Sequence, residues 1–162
     1  MSKSMLLNMK KQIRIGLITS RGGHLFQLNQ LRPFWKEYNR FWVTDRGLDT
    51  DYFLKNEKVY YGFFPESRNV INGIKNFFLA FKILSIERPN VLISSGAGIT
   101  IPYFLIGKLF YKTKLVYIEP YDFIQYPSLT GKIVYNFVDL FLIQHNCQKK
   151  WYPRAKYWGS LF

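Results

Sequence analysis

The sequence has a single cysteine, Cys147, and no apolar run of membrane-spanning length. One cysteine excludes an internal disulfide framework and agrees with a reducing cytoplasm. The longest apolar stretches, residues 77–86 and 99–110, are interrupted by lysine or glycine. They fall short of the roughly 18 residues that a spanning helix needs. We therefore expect a protein without a transmembrane helix, which is either cytosolic or lies on a membrane surface.

Acidic residues are also scarce. The chain has 10 Asp and Glu against 23 Lys and Arg, a net charge of +13. This excess favours polyanionic partners, namely nucleic acid, an anionic membrane surface or phosphorylated substrates. The two histidines, His24 and His145, are far apart in the sequence, so we expect no metal site. At 48% hydrophobic residues the chain is not generally disordered.

Several motifs of nucleotide chemistry and hydrolysis are missing as well. The sequence contains no Walker lysine, no kinase glycine loop and no Ser/His/Asp order. Its first glycine pair, Gly22-Gly23, departs from the dinucleotide fingerprint G-x-G-x-x-G. We therefore expect neither a nicotinamide cofactor nor any other bound cofactor.

Short apolar runs alternate with segments of helical periodicity. We predict strands over residues 12–19, 40–44, 58–63, 90–95, 114–119 and 139–144. We predict helices over residues 25–37, 70–87, 99–111 and 129–137, with a short one over 146–152. This alternation indicates an α/β fold, a Rossmann-like doubly wound parallel sheet covered on both faces. We expect one such domain over residues 12–162, preceded by a short basic and apolar segment, 1–11.

Two of the predicted helices are unusually apolar. In the helix over 70–87, one stripe is predicted to face the sheet, and further apolar residues suggest burial on a second side or contact with a partner. The stripe consists of Ile71, Ile74, Phe78, Phe81 and Leu84. The helix over 99–111 ends beside Lys108, Lys112 and Lys114. It is either a core helix with a solvated basic end or a surface that docks on anionic lipid.

Two glycine turns carry the main functional signal. The first, Ser20-Arg21-Gly22-Gly23-His24, links the first predicted strand to a helix, and the second, Ser95-Gly96-Ala97-Gly98, closes the fourth. Glycine permits positive φ and lets an anion approach the free N–H groups at a helix start. Both turns would lie at the carboxyl edge of one sheet. We therefore predict a shared cleft for a phosphorylated ligand.

Glu119 and His24 are the candidates for acid–base chemistry. Glu119 ends the strand over 114–119, at the edge where ligands bind in open α/β sheets, and it could deprotonate or hold a hydroxyl group. The alternative for Glu119 is an ordinary acidic loop or capping residue. The alternative for His24 is a packed surface histidine.

Short blocks of sequence, taken in their order and spacing, resemble the Alg14 family in the broad sense. This family includes bacterial capsule and exopolysaccharide subunits of the PssD and CpsF type. The blocks cover residues 20–24, 41–44, 87–98, 116–119, 128–132, 139–144 and 152–157, nearly the whole length of the chain. The resemblance implies a fold equivalent to the N-terminal half of a GT-B glycosyltransferase, with a more distant similarity to enzymes of the MurG type.

The resemblance also implies a function. It implies an acceptor-binding, membrane-recruiting subunit of a two-component glycosyltransferase. Such an enzyme adds a sugar from a UDP-sugar to an undecaprenyl-diphosphate-linked saccharide in capsule or exopolysaccharide synthesis. The subunit would lie peripherally on the cytoplasmic face of the plasma membrane. The UDP-sugar would be bound mainly by a separate Alg13- or PssE-like subunit that forms the C-terminal half.

Within this chain, the resemblance implies Glu119 and His24 as catalytic residues. The site implied for the acceptor diphosphate comprises Ser20, Arg21, Gly22, Gly23, Ser95, Gly96, Ala97 and Gly98. The sequence departs from the family at two places. Eukaryotic members carry an N-terminal membrane anchor, which residues 1–11 are too short to provide, and Pro120 stands where a small polar residue is expected.

Two alternatives remain open from the sequence. The chain could be a non-catalytic activator of a partner that carries all the chemistry. It could also be a basic nucleic-acid-binding protein, although it lacks an RNA-binding motif and its basic residues are spread along the chain; we expect no nucleic-acid partner. The aromatic C-terminal end is predicted to contact the partner chain, the alternative being that it packs on its own domain. Its aromatic residues are Trp151, Tyr152, Tyr157, Trp158 and Phe162.

Overall fold

A parallel β-sheet forms the centre of the molecule in the computed structural model, which describes residues 10, 12–65 and 69–162. Its seven strands are β1 (Arg14–Ile18), β2 (Asn39–Thr44), β3 (Val59–Tyr61), β4 (Val91–Ser94), β5 (Lys114–Ile118), β6 (Leu140–Ile143) and β7 (Lys156–Tyr157). Their order is β3-β2-β1-β4-β5-β6-β7, and every neighbouring pair is parallel. The strand order reverses at β1 and β4, which is the switch point where α/β proteins bind ligands.

The helices connect the strands on both sides of the sheet. They are α1 (Gly23–Gln30), α2 (Arg32–Trp35), α3 (Leu48–Phe53), α4 (Val70–Glu87), α5 (Thr100–Tyr111) and α6 (Leu129–Val134), with a 3₁₀ helix over Asn146–Lys150. One hydrophobic cluster joins α4, α5 and α6 to the sheet, and a second joins α1 and α2 to the opposite face. The Rossmann-like doubly wound fold is confirmed.

Most predicted elements are present, with three differences. The single helix predicted over 25–37 is two helices, α1 and α2, which are separated by Leu31. Pro33, in the first turn of α2, has no backbone N–H and cannot continue the hydrogen bonds of α1. Helix α3 and strand β7 were not predicted. The first has six residues without a clear apolar stripe, and the second has two exposed residues, too few to give a period-two pattern. The segment predicted over 1–11 lies almost wholly outside the described residues.

The orientation predicted for α4 is wrong. Of the stripe predicted to face the sheet, only Leu84 is buried, whereas Ile71, Ile74 and Phe78 are 67%, 55% and 69% exposed. The buried face includes the polar residue Asn76, whose amide bonds the backbone N–H and C=O of Phe63 at 2.8 Å each. The exposed apolar residues over positions 70–81 of this helix are called the apolar face of α4 below; they are Val70, Ile71, Ile74, Phe77, Phe78 and Phe81.

Helix α5 is a core helix with an exposed end, and its docking on anionic lipid stays a prediction. Tyr103, Phe104 and Ile106 are buried in the core, while Leu109 and Phe110 near its end are exposed. The basic end is partly neutralised, because Lys108 and Lys114 each lie 3.0 Å from the Asp139 carboxylate. Among the described residues, no helix is long and apolar enough to cross a membrane.

Candidate functional site

The two glycine turns meet at the carboxyl edge of the sheet, as predicted. His24, at the start of α1, places its ring nitrogen Nδ1 2.9 Å from the carbonyl oxygen of Ser95. In return, the Ser95 hydroxyl donates to the His24 carbonyl at 2.8 Å. These two hydrogen bonds join the β1–α1 turn to the β4–α5 turn, so both turns belong to one cleft.

The second turn depends on a glycine at position 96. Gly96 has φ +121°, and a Cβ added there would lie 2.7 Å from Cε1 of His24 and 2.9 Å from Cγ of Pro120. The turn is held from below by Thr100, whose hydroxyl donates to the Gly96 carbonyl at 2.7 Å. Position 96 must therefore lack a side chain so that the His24 ring can occupy its place.

A cavity of about 860 Å³ opens in front of this turn. It is lined by His24, Ala97 and Gly98, by Phe77 of α4, and by a polar edge that includes Ser128. Because a carbonyl can only accept, His24 Nδ1 carries the proton and Nε2 keeps a lone pair in the neutral ring. The N–H of Gly98, at the start of α5, has no acceptor among the described residues. The residues that line the cavity therefore supply a hydrogen-bond donor near a helix N-terminus and an imidazole nitrogen, and neither has a partner in the described part of the chain.

The first turn is only partly open. The backbone N–H of Arg21 donates to Asp45 at 2.7 Å, and that of Gly22 donates to Asp49 at 2.6 Å. The Arg21 guanidinium also pairs with Asp45 at 3.1 Å. Two of the donors predicted for the acceptor diphosphate are therefore occupied by carboxylates of the chain itself.

Gly23 is the open position of the first turn. A Cβ added there would meet nothing within 4 Å, and the positive φ of this turn belongs to Gly22, at +75°. Gly23 and His24 line a smaller cavity of about 320 Å³. Ser20 and Arg21 instead line a separate cavity of about 700 Å³ with Arg46 and Tyr61. Of the eight residues predicted for the diphosphate, five line three different cavities: Ser20 and Arg21 line one, Gly23 another, and Ala97 and Gly98 the third.

Glu119 is buried rather than open to the cleft. Its side chain is 0% exposed and accepts hydrogen bonds from the Ser128 N–H at 2.7 Å, the Ser128 hydroxyl at 2.9 Å and the Tyr152 hydroxyl at 3.1 Å. Burial raises the pKa of Glu119, and the hydrogen bonds from Ser128 and Tyr152 oppose that rise. Ser128 in turn caps α6 by accepting from the Gly131 N–H. In this geometry Glu119 fixes the β5–α6 connection, and its catalytic role stays a prediction.

A set of buried glutamines was missed by the sequence analysis. Gln27 and Gln148 are buried and bind the backbone of the loop that follows Glu119, and Gln144 links Gln27 to that loop. Glutamine is common on surfaces, so a single sequence gives no signal for such a network. In the described part of the chain, no three His, Cys, Asp or Glu side chains are placed to hold a metal ion.

The chain matches a family model and several curated proteins. Residues 55–161 match the family of the oligosaccharide biosynthesis protein Alg14 like. The human UDP-N-acetylglucosamine transferase subunit ALG14 is 26% identical over 117 residues, which cover 64% of this chain and 54% of the human protein. The subunit from Debaryomyces hansenii is 24% identical, with 91% of this chain and 75% of that protein covered. This chain spans about half the length of several curated relatives that it matches.

Solved structures show the same fold at low sequence identity. Acinetobacter baumannii MurG superposes with a TM-score of 0.72 at 12% identity, covering 91% of this chain and 45% of MurG. The UDP-GlcNAc 2-epimerase from Methanocaldococcus jannaschii gives 0.66 at 15% identity, with 88% and 42% covered. At such identities the likeness concerns the fold alone. The family match, which extends over about two thirds of the sequence, carries the assignment: this chain belongs to the Alg14-like family.

Proposed function

We propose that this chain is the acceptor-binding subunit of a two-part glycosyltransferase. Its partner would bind the UDP-sugar, and the acceptor would be an undecaprenyl-diphosphate-linked saccharide of capsule or exopolysaccharide synthesis. The names of the curated relatives support a transferase subunit. The observation that carries the proposal is the 860 Å³ cavity, whose lining combines polar groups with Phe77 from the apolar face of α4.

The polar groups that line the cavity suit the diphosphate. The start of α5 carries the partial positive charge of a helix N-terminus, and no described residue accepts a hydrogen bond from the N–H of Gly98. His24 Nε2 is available to accept a hydrogen bond from a sugar hydroxyl, because Nδ1 is held by Ser95. His24 therefore orients the acceptor in this proposal, while Gly23 leaves room for the ligand at the first turn.

The apolar face of α4 suits a lipid. Phe77 lines the cavity and is itself 42% exposed, so apolar surface runs from the cavity onto the outside of the helix. Lys75 and Lys82 are exposed on α4, and neither forms an ion pair with a described residue. Apolar side chains beside unpaired lysines bind anionic membrane surfaces. We place this face against the cytoplasmic leaflet, with the polyprenyl chain of the acceptor leading into the cavity.

This proposal places the membrane contact on α4 instead of on the basic end of α5. The sequence suggested the lysines over 108–114, but Lys108 and Lys114 are paired with Asp139 and contribute less net charge there. The short basic and apolar segment over residues 1–11 lies almost wholly outside the described residues. The exposed stripe of α4 therefore becomes the main contact in the proposal.

The partner would cover the surface beside the C-terminal tail. Leu161 and Phe162 pack on the chain's own domain, because the Leu161 N–H donates to Gln144 at 3.0 Å and the Phe162 ring stacks on Phe26 at 5.7 Å. Trp158, in contrast, is 68% exposed. It lies at the rim of an apolar cavity of about 590 Å³ between the tail and the sheet. An exposed tryptophan beside an apolar cavity is a typical interface anchor.

The proposal is tested by reconstitution. The purified chain alone, its C-terminal-half partner alone and the co-purified pair are assayed with UDP-sugars and an undecaprenyl-diphosphate-linked acceptor. We expect transfer only by the pair. Transfer by the lone chain would overturn the two-subunit proposal, and no transfer by a stable pair with any UDP-sugar would overturn the activity. A pair that keeps full turnover when His24 is changed to Ala would instead favour the non-catalytic activator.

A further inference from the structure

Almost every carboxylate in the described part of the chain has a partner within the protein. Ion pairs or hydrogen bonds engage Glu37, Asp45, Asp49, Glu57, Glu87, Glu119 and Asp139. Among the described residues, only Asp51 and Asp122 have side chains with no such contact. Asp51 lies on the exposed helix α3. Asp122 lies at the carboxyl edge and lines the 320 Å³ cavity together with Gly23 and His24.

The backbone around Asp122 is held in place from both sides. The Tyr121 N–H donates to Gln27 at 3.2 Å, and Nε2 of His145 lies 3.0 Å from the Tyr121 carbonyl. On the other side, Gln148 donates to the Phe123 carbonyl at 3.0 Å. The two glutamines are 5% and 0% exposed. Burying such polar groups is costly unless they are hydrogen-bonded, so these hydrogen bonds fix the backbone conformation of the loop.

The result is an exposed carboxylate on a fixed backbone. This arrangement differs from that of Glu119, whose oxygens are buried and fully engaged three residues earlier. A catalytic carboxylate has to reach the substrate and needs a position set by its supporting residues. Asp122 is exposed at the cavity on a backbone that its neighbours hold in place, whereas Glu119 is held in place but buried.

We propose that Asp122 is the catalytic base of this site. The inference rests on the proposed function. The oxygen of the acceptor hydroxyl forms a bond to the anomeric carbon of a nucleoside-diphosphate sugar. The bond from that carbon to the diphosphate oxygen breaks, and its electron pair leaves with the nucleoside diphosphate. The proton of the hydroxyl passes to the Asp122 carboxylate and then to water. His24, on the same cavity wall, orients the hydroxyl.

The test compares two isosteric variants of the reconstituted pair. Asp122→Asn keeps the shape and removes the base. Asp51→Asn removes the other carboxylate that has no partner among the described residues, and it serves as the control. Because a positioned base contributes about 10²–10⁴-fold, we expect kcat to fall at least about 100-fold in Asp122→Asn, with the KM for acceptor little changed. We expect Asp51→Asn to match the wild type and Asp122→Glu to recover part of kcat.

The outcomes separate this inference from the proposed function. Thermal unfolding and co-purification with the partner establish that the Asp122→Asn subunit is folded and assembled. A wild-type pair that transfers sugar, together with an Asp122→Asn pair within about twofold of its kcat, would overturn the inference and leave the proposed function intact. A rise in KM without a fall in kcat would also overturn it, because that result indicates binding rather than proton transfer. A wild-type pair without transfer would overturn both.

Discussion

Changing Gly96 to Ala tests whether the site depends on the contact between the two turns. The backbone at Gly96 has φ +121°, a region that alanine rarely adopts. The added methyl group would lie 2.7 Å from Cε1 and 2.9 Å from Nδ1 of the His24 ring. Real Cβ atoms do not approach other atoms so closely, so the ring must move. Its movement breaks the 2.9 Å hydrogen bond to the Ser95 carbonyl.

Two contributions set the size of the effect. Backbone strain of this kind costs about 1–3 kcal/mol. The lost hydrogen bond adds about 0.5–1.5 kcal/mol. We therefore expect Gly96→Ala to lower the free energy of unfolding by about 2–4 kcal/mol. For transfer we expect a loss of up to about 100-fold, because a misplacement of about 1 Å in a reacting group can cost that much.

A second glycine of the same chain provides a matched control. Gly159 has φ +103°, but a Cβ there would meet nothing within 4 Å. Gly159→Ala therefore imposes backbone strain without a steric contact. Urea unfolding gives the free energy of unfolding of both variants, and the difference between them measures the cost of the steric contact at Gly96. Sugar transfer by the reconstituted pair shows the effect of displacing His24. If Gly96→Ala is no less stable than Gly159→Ala and transfers sugar normally, the dependence of the site on this contact is refuted.

The sheet could be predicted because its strands are buried on both faces. Buried parallel strands appear in the sequence as short continuous apolar runs, such as Leu115-Val116-Tyr117-Ile118. Such a run can be identified as a strand without knowing which strands pair with it. Glycine turns after β1 and β4 then locate the carboxyl edge. β7 could not be found in this way, because both of its residues are exposed and it has only two.

The orientation of α4 could not be predicted from its periodicity. A helix that is apolar on most sides offers several stripes, and hydrophobicity alone favours the one with the largest side chains. The structure buries a different face that contains Asn76 and Glu87. Glu87 tolerates burial because Lys58 lies 2.5 Å and Arg14 3.3 Å from its carboxylate, and the Tyr60 hydroxyl donates to it. Those partners come from distant parts of the chain, and the sequence does not reveal their proximity.

The site shows the same limit in its chemistry. The sequence identified a strand-end carboxylate and a histidine as candidates, and the structure places His24 in the cleft. The sequence alone does not distinguish Glu119 from Asp122, because the two residues are three positions apart and both are carboxylic acids. What separates them is burial: Ser128 and Tyr152 enclose the first, whereas Asp122 remains exposed.

Three further predictions follow from exposure and charge. Phe78→Ser should reduce co-sedimentation with anionic liposomes about tenfold, since Phe78 is 69% exposed on the apolar face of α4. The control Tyr52→Ser, at a side chain that is 79% exposed on α3, should leave co-sedimentation unchanged. Equal binding of the wild type to neutral vesicles at high salt would argue against a contribution from anionic lipid. Trp158→Ala should weaken association with the partner at least about tenfold in a pull-down titration, with Tyr52→Ala as the control, and unchanged association would move the interface elsewhere. Glu119→Gln should alter the pH dependence of stability, because burial raises the pKa of Glu119 and the folded state then holds its proton more tightly than the unfolded chain. Relative to the variant, the wild type is then most stable below the ordinary carboxyl pKa, and it loses that advantage as the pH rises through the raised pKa. Urea unfolding at a series of pH values measures this difference, and an advantage that grows with pH would contradict the burial of an ionisable Glu119.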